Sequence, residues 1–266
     1  MDIFVLLFLI FVGGVFVFFV IIEPTYILLF NKPIYVHFYP VKRKLSSEGI
    51  LVLQEHFSFY QKLSPKRQSY FRHRVASFID NYTFAGRDGL EVTEEMRVKI
   101  AATSVMLTFG MRKYRQSIFS VIVLYPDIFL SKSGKYHKGE FNPLAKAVVF
   151  SWNHFEEGMA YGNDNLNLGL HEFAHVLHFE SLRKKKLGSS SVVFRDMLDD
   201  VMYYLDDINN RKALLNSGYL RNYAYTNQYE FIAVLLEHFF ETPEELKKHF
   251  PELYSIVKAM INYREG

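Results

Sequence analysis

The 266-residue chain contains no cysteine, which excludes disulfides, thiolate metal ligands and a cysteine nucleophile. Net charge is nearly absent as well. The 31 basic and 28 acidic residues leave a formal +3, so the chain has no basic footprint of the kind nucleic acid demands, and no direct nucleic-acid binding is expected. No internal repeat occurs, so one domain is expected rather than an array. What is abundant is apolar side chain: half of the residues are hydrophobic, enough for one sizeable core and an appendage.

The appendage is N-terminal. Ile3 to Ile22 carries no charge and as a helix spans about 30 Å, the thickness of a bilayer core. Asp2 precedes the run and Ile21-Ile22-Glu23-Pro24 follows it, whereas a cleaved signal peptide has a positive leader and a small-residue cleavage site. Residues 1–22 therefore read as an uncleaved anchor. Lys32 and Lys42-Arg43-Lys44 lie on its C-terminal side, which by the positive-inside rule predicts a single-pass protein of the inner (cytoplasmic) membrane with its bulk in the cytoplasm. Residues 23–49, punctuated by Pro24, Pro33 and Pro40, read as a juxtamembrane connector, and 50–266 as the globular domain. The basic runs at 42–44 and 183–186 read as solvated faces.

Periodicity predicts helices over 53–63, 66–83, 93–109 (with Thr93 as cap), 166–181, 192–207, 228–241 and 252–263, and a short one opening at Thr242-Pro243. The β-branched runs 118–125 and 147–152 read as strands. Residues 131–143 read as a mobile hairpin or lid, and 153–167 as a polar stretch. The class that follows is α+β and predominantly helical, with a small β-sheet.

The run His171-Glu172-Phe173-Ala174-His175 carries chemistry. Imidazoles at i and i+4 share one helix face and can converge on one metal ion, with the intervening carboxylate beside the metal without ligating it. Zinc acidifies a bound water, and Glu172 is placed to take its proton as general base. The apolar flanks Leu168-Gly169-Leu170 and Val176-Leu177 suit a buried helix. Catalytic zinc normally takes three protein ligands. His178 is on the same helix but faces off the ion, so the later helix with Glu230, Glu237 and His238 is the better source. Glu230 opens an apolar run, where a carboxylate needs a partner.

Five segments, Gly89 to Arg97, Val123-Leu124-Tyr125-Pro126, Val148 to Trp152, His171 to His175 and Tyr223 to Phe231, together resemble the Mlc titration factor A family of zinc-dependent peptidases, over roughly residues 50–263 and in the family's order. The resemblance implies a zincin-like, gluzincin-type metallopeptidase domain related to the catalytic domain of anthrax lethal factor. It implies that His171, His175 and Glu230 hold Zn2+, that Glu172 is the base and that Tyr223 steadies the oxyanion, with Tyr225 a weaker candidate. Peptides or proteins would be the substrates. Two departures stand out: His178 occupies a position where many relatives carry aspartate, and the membrane span is an addition. A sugar-responsive repressor is the partner that the family name implies, so the alternative expectation is a binding protein that sequesters a transcriptional regulator at the membrane.

Overall fold

The computed structural model describes residues 2–131, 134–183 and 190–264. One continuous helix, Ile3–Phe30, opens the chain as α1 (Ile3–Val17), a π-helical turn (Phe18–Ile22) and α2 (Glu23–Phe30). Pro24 falls in the first turn of α2, where its missing N–H costs least. No residue of α1 is buried. In α2, by contrast, Glu23 and Ile27 are buried.

The domain follows as α3 (Ser47–His56), α4 (Ser58–Gln61), α5 (Pro65–Asn81), β1 (Thr83–Gly86), α6 (Glu94–Thr108), β2 (Val121–Tyr125), β3 (Phe129–Leu130), β4 (Tyr136–His137), β5 (Gly139–Asn142), β6 (Ala147–Ser151), α7 (Trp152–Ala160), α8 (Leu168–Leu182), α9 (Ser190–Asp206), α10 (Ile208–Ser217), a 3-10 turn (Asn222–Thr226), α11 (Gln228–Glu241), α12 (Pro243–His249) and α13 (Pro251–Met260). It is mostly helical around a four-stranded sheet of order β1-β2-β6-β5. β1, β2 and β6 run parallel, and β5 pairs antiparallel with β6, Phe141 opposite Val148. β3 and β4 form a separate small ribbon.

Sequence expectation and structure part company where pairing or packing overrides composition. β5 lies inside the stretch expected to be a loose lid, held as a strand by its ladder to β6. The expected polar stretch begins as α7, which buries Phe155 and Gly158. β1 and α10 were not expected. The middle of the anticipated lid, 132–133, and the basic run 184–186 lie outside the described residues.

The connector expected over 23–49 is packed. Arg74, fully buried on α5, donates through Nε to the Tyr39 hydroxyl (2.6 Å) and through Nη1 to the carbonyls of Thr108 and Phe109 at the end of α6. A cation there meets the negative end of the helix dipole. Tyr114, 4.4 Å from the guanidinium, adds an aromatic face. His73 Nδ1 accepts from the Arg43 N–H at 2.8 Å, and the Ser46 hydroxyl caps α3.

Candidate metal centre and cleft

α8 lies between the sheet and α11, within a core that includes Leu170, Phe173, Ala174, Val176 and Leu177. Its start is fixed by Asn167. The side-chain oxygen accepts from the Leu170 N–H, and the amide donates to the Gly158 carbonyl and to Glu241, joining α7, α8 and α11. Gly169 lets α8 approach closely, since a Cβ there would meet Phe155 at 2.6 Å and Thr103 at 3.0 Å. α11 is capped in the same way, by Asn227 accepting from the Tyr229 and Glu230 N–H groups.

This framing brings three donor atoms together. His171 Nε2 and His175 Nε2 are 3.2 Å apart, and Glu230 Oε2 lies 3.0 Å from the first and 3.5 Å from the second. A tetrahedral ion with bonds of about 2.0–2.1 Å spaces its ligand atoms about 3.3–3.4 Å apart. The buried Glu230 Oε2 makes no well-aligned hydrogen bond to either ring, a geometry better suited to sharing a cation than a proton. The electrostatics agree. Burial disfavours charge on His171, yet the nearby carboxylates of Glu230 and Glu237 outweigh it and push its pKa up to about 10. Burial also opposes ionisation of Glu230, but the two imidazoles hold it well below the usual carboxylate range. A field that draws positive charge this strongly suits a divalent ion. The residues present therefore fit a metal.

His171 is held from behind as well. Its Nδ1 lies 2.7 Å from Glu237 Oε1, and Arg221 donates to both oxygens of Glu237 at 2.7 and 3.2 Å. Glu237 is 1% exposed. It lies two turns beyond Glu230 on α11, a spacing visible in the sequence; Arg221, in the loop before the 3-10 turn, gave no such signal. Glu237 is thus committed to His171, and Glu156 to Lys99 at 3.0 Å, whereas Glu157 lines the open cleft.

Glu172 is buried, which pushes its carboxyl pKa up against the pull of both histidines. The backbone of Phe141 in β5 hydrogen-bonds it, and Gly139 makes room for it, since a Cβ there would lie 2.6 Å from Glu172 Oε1. Tyr223 is half-exposed, its ring 6.2 Å from that of His171. Burial and the neighbouring Glu230 push its phenol up to about 12, so it is a proton donor at neutral pH. Tyr225 is elsewhere, packed against Phe231 with its hydroxyl buried. His178 is 1% exposed, its ring lies tilted 4.4 Å from that of Tyr229, and neither nitrogen has a hydrogen-bond partner. It belongs to the core. Around the site opens a cleft of about 510 Å³ whose lining includes Gly139, His154, Glu157, Asp164, Glu172 and Tyr223.

An HExxH helix under a sheet whose outermost strand is antiparallel, with a carboxylate from a second helix, has the form of a metallopeptidase domain. The chain belongs to the glucose-regulated metallo-peptidase M90 family, whose model matches residues 40–262. It is similar to an uncharacterised protein of Synechocystis sp., 24% identical over 82% of this chain and 84% of that one. It is also similar to Mlc titration factor A of Yersinia pestis and of Yersinia pseudotuberculosis, each 24% identical over 68% of this chain and 72% of theirs.

Proposed function

We propose that the chain is a membrane-anchored zinc peptidase in which His171, His175 and Glu230 hold the metal, Glu172 is the general base and Tyr223 the oxyanion donor. The observation that carries it is the near-tetrahedral spacing of three donor atoms, flanked by a buried carboxylate and a protonated phenol in one cleft. When bound, zinc supplies Lewis acidity toward the scissile carbonyl and the attacking water.

The protein's groups do the rest. β5 has β6 on one side, and its other edge is unpaired among the described strands, so an extended peptide can add to it by main-chain hydrogen bonds. Glu172, aligned by the Phe141 backbone, takes a proton from the water as it attacks and delivers it to the departing amine nitrogen. The Tyr223 hydroxyl donates a hydrogen bond to the carbonyl oxygen as negative charge builds there. Glu237 and Arg221 fix the ring of His171 throughout.

The helix 3–30 supports an inner-membrane location, and the cations that follow it support a cytoplasmic domain. The division proposed is anchor 1–22, connector 23–49 and peptidase 50–266. A second activity, capture of a transcriptional regulator at the membrane, is suggested by the name of the Yersinia relatives. Hydrolysis and capture separate in one experiment. Glu172→Gln in the full chain should keep about one zinc and lose at least about 100-fold in cleavage of a peptide library; full activity in a zinc-replete variant would refute the mechanism. Regulator capture that survives this substitution is expected if both roles coexist.

A further inference from the structure

The helix 3–30 has 28 residues, about 42 Å, or some 12 Å more than a bilayer core requires. The surplus is not a free stalk. Glu23 and Ile27 are 2% and 3% exposed, and Arg112 pairs with Glu23. The domain therefore grips one side of α2 at the level where the apolar run ends. Leu28 and Leu29 on the other side, and Phe30 one turn beyond Ile27, are 57%, 71% and 55% exposed.

The exposed apolar character does not stop with the helix. Ile34, Phe38 and Val41 are 41%, 72% and 86% exposed. Scattered exposed leucines need no explanation, but a run of large apolar side chains within one short segment does. This segment is spatially tied to the helix end: the Phe38 ring is 6.4 Å from Tyr35, and the Arg112 guanidinium, paired with Glu23, sits 5.0 Å over Tyr35. Lys32, Lys42 and Lys44 are exposed on the same segment, where Lys42 donates to the Ser69 hydroxyl and lies 5.0 Å over the Tyr70 ring. Arg112 also lines a cleft with Lys113 and Arg115.

We infer that residues 28–44 are a second lipid contact, an apolar and aromatic edge with a cationic rim that seats the domain directly on the bilayer. This rests on the reading of 3–22 as a membrane span. Lipid is the occupant because the edge is continuous with the span, because aromatic side chains favour the interfacial zone, and because the cations suit anionic head groups. Arg74 donates to the Val36 carbonyl and the Tyr39 hydroxyl, and His73 accepts from the Arg43 N–H, so the stretch 36–43 is tied to the domain behind it.

The absence of cysteine makes the test direct. Single cysteines at Phe11, Phe38 and Val41 in the full chain, each carrying a small fluorophore, are reconstituted in vesicles containing phosphatidylglycerol. Quenching by doxyl-labelled lipid is compared with quenching by aqueous iodide. The expected result is lipid quenching several-fold above iodide quenching at 38 and 41, at a shallower depth than at 11. Lipid quenching at 11 with iodide quenching alone at 38 and 41 overturns the inference and leaves the span intact. Shielding of 38 and 41 from both quenchers also overturns it, pointing to a protein cover. Iodide access at 11 refutes the span itself, and the inference with it.

Discussion

His171 is held from two sides. Its Nε2 faces Glu230 and His175, while its Nδ1 meets Glu237, which Arg221 clamps through both carboxylate oxygens. A carboxylate on the far nitrogen fixes the tautomer and raises the basicity of a ligand histidine. Glu237→Gln, which keeps volume but removes the charge, should weaken zinc binding by about 10- to 100-fold, measured by competition with a chromophoric chelator. Unchanged affinity would assign Glu237 to fold stability alone. At this scale His171, Glu172 and His175 were legible because their spacing is local to one helix. Glu230 stood out as a carboxylate opening an apolar run, beside Glu237 and His238 on the same helix, while Tyr223 needed the family resemblance, since packing rather than sequence distance brings both to the candidate site. Arg221 was invisible: an arginine in a loop announces nothing until Glu237 is seen in front of it. His178, weighed as a ligand, proves to be a neutral core residue, its pKa lowered to about 4 by burial.

α11 carries a pair of opposed pH effects in its last turn. Burial lowers His238 from its ordinary 6.5 to about 4, so its contribution to stability is complete above 6.5 and is lost as pH falls through 4. Burial raises Glu241 from 4.5 to about 7, so the fold favours its protonated form, and a penalty grows as pH rises from 4.5 through 7. The two slopes oppose each other between about 4.5 and 6.5. Glu241→Gln removes the penalty, so denaturant midpoints should show the variant gaining on the parent as pH goes from 5 to 8; a gap independent of pH would contradict the assignment. Helices with strong caps were readable from sequence: Thr93 accepts from the Met96 N–H and opens α6, and α11 begins at Gln228 as its pattern predicted. β5 and α7 were not readable. Gly139 and Pro143 signal a loop, yet the ladder to β6 makes a strand, and α7 is a helix by virtue of burying Phe155.

The family match begins at residue 40, but the domain's interactions reach further back, to Tyr39 and Val36 on Arg74 and to Ile27 in the core. Removing those partners leaves a buried guanidinium without its phenol, a costly arrangement. A fragment starting at Ile50 should therefore melt several degrees below one starting at Asn31, by about 1–3 kcal/mol for the unsatisfied polar groups, read by circular dichroism. Equal melting temperatures would show the connector to be energetically idle. Composition and hydropathy made the helical, α+β character and the N-terminal apolar helix legible. The tight seating of the connector was not, because prolines and mixed polarity look alike in a slack linker and in a moulded one. That seating bears on shedding. A protease that would liberate the domain needs an extended, accessible strand of backbone, and the segment between Phe30 and Ser46 is held at Tyr35 by Arg112, at Tyr39 by Arg74 and at Arg43 by His73. Cleavage there is thus expected only after local unfolding, so the domain should stay joined to its N-terminal helix without any disulfide to lock it.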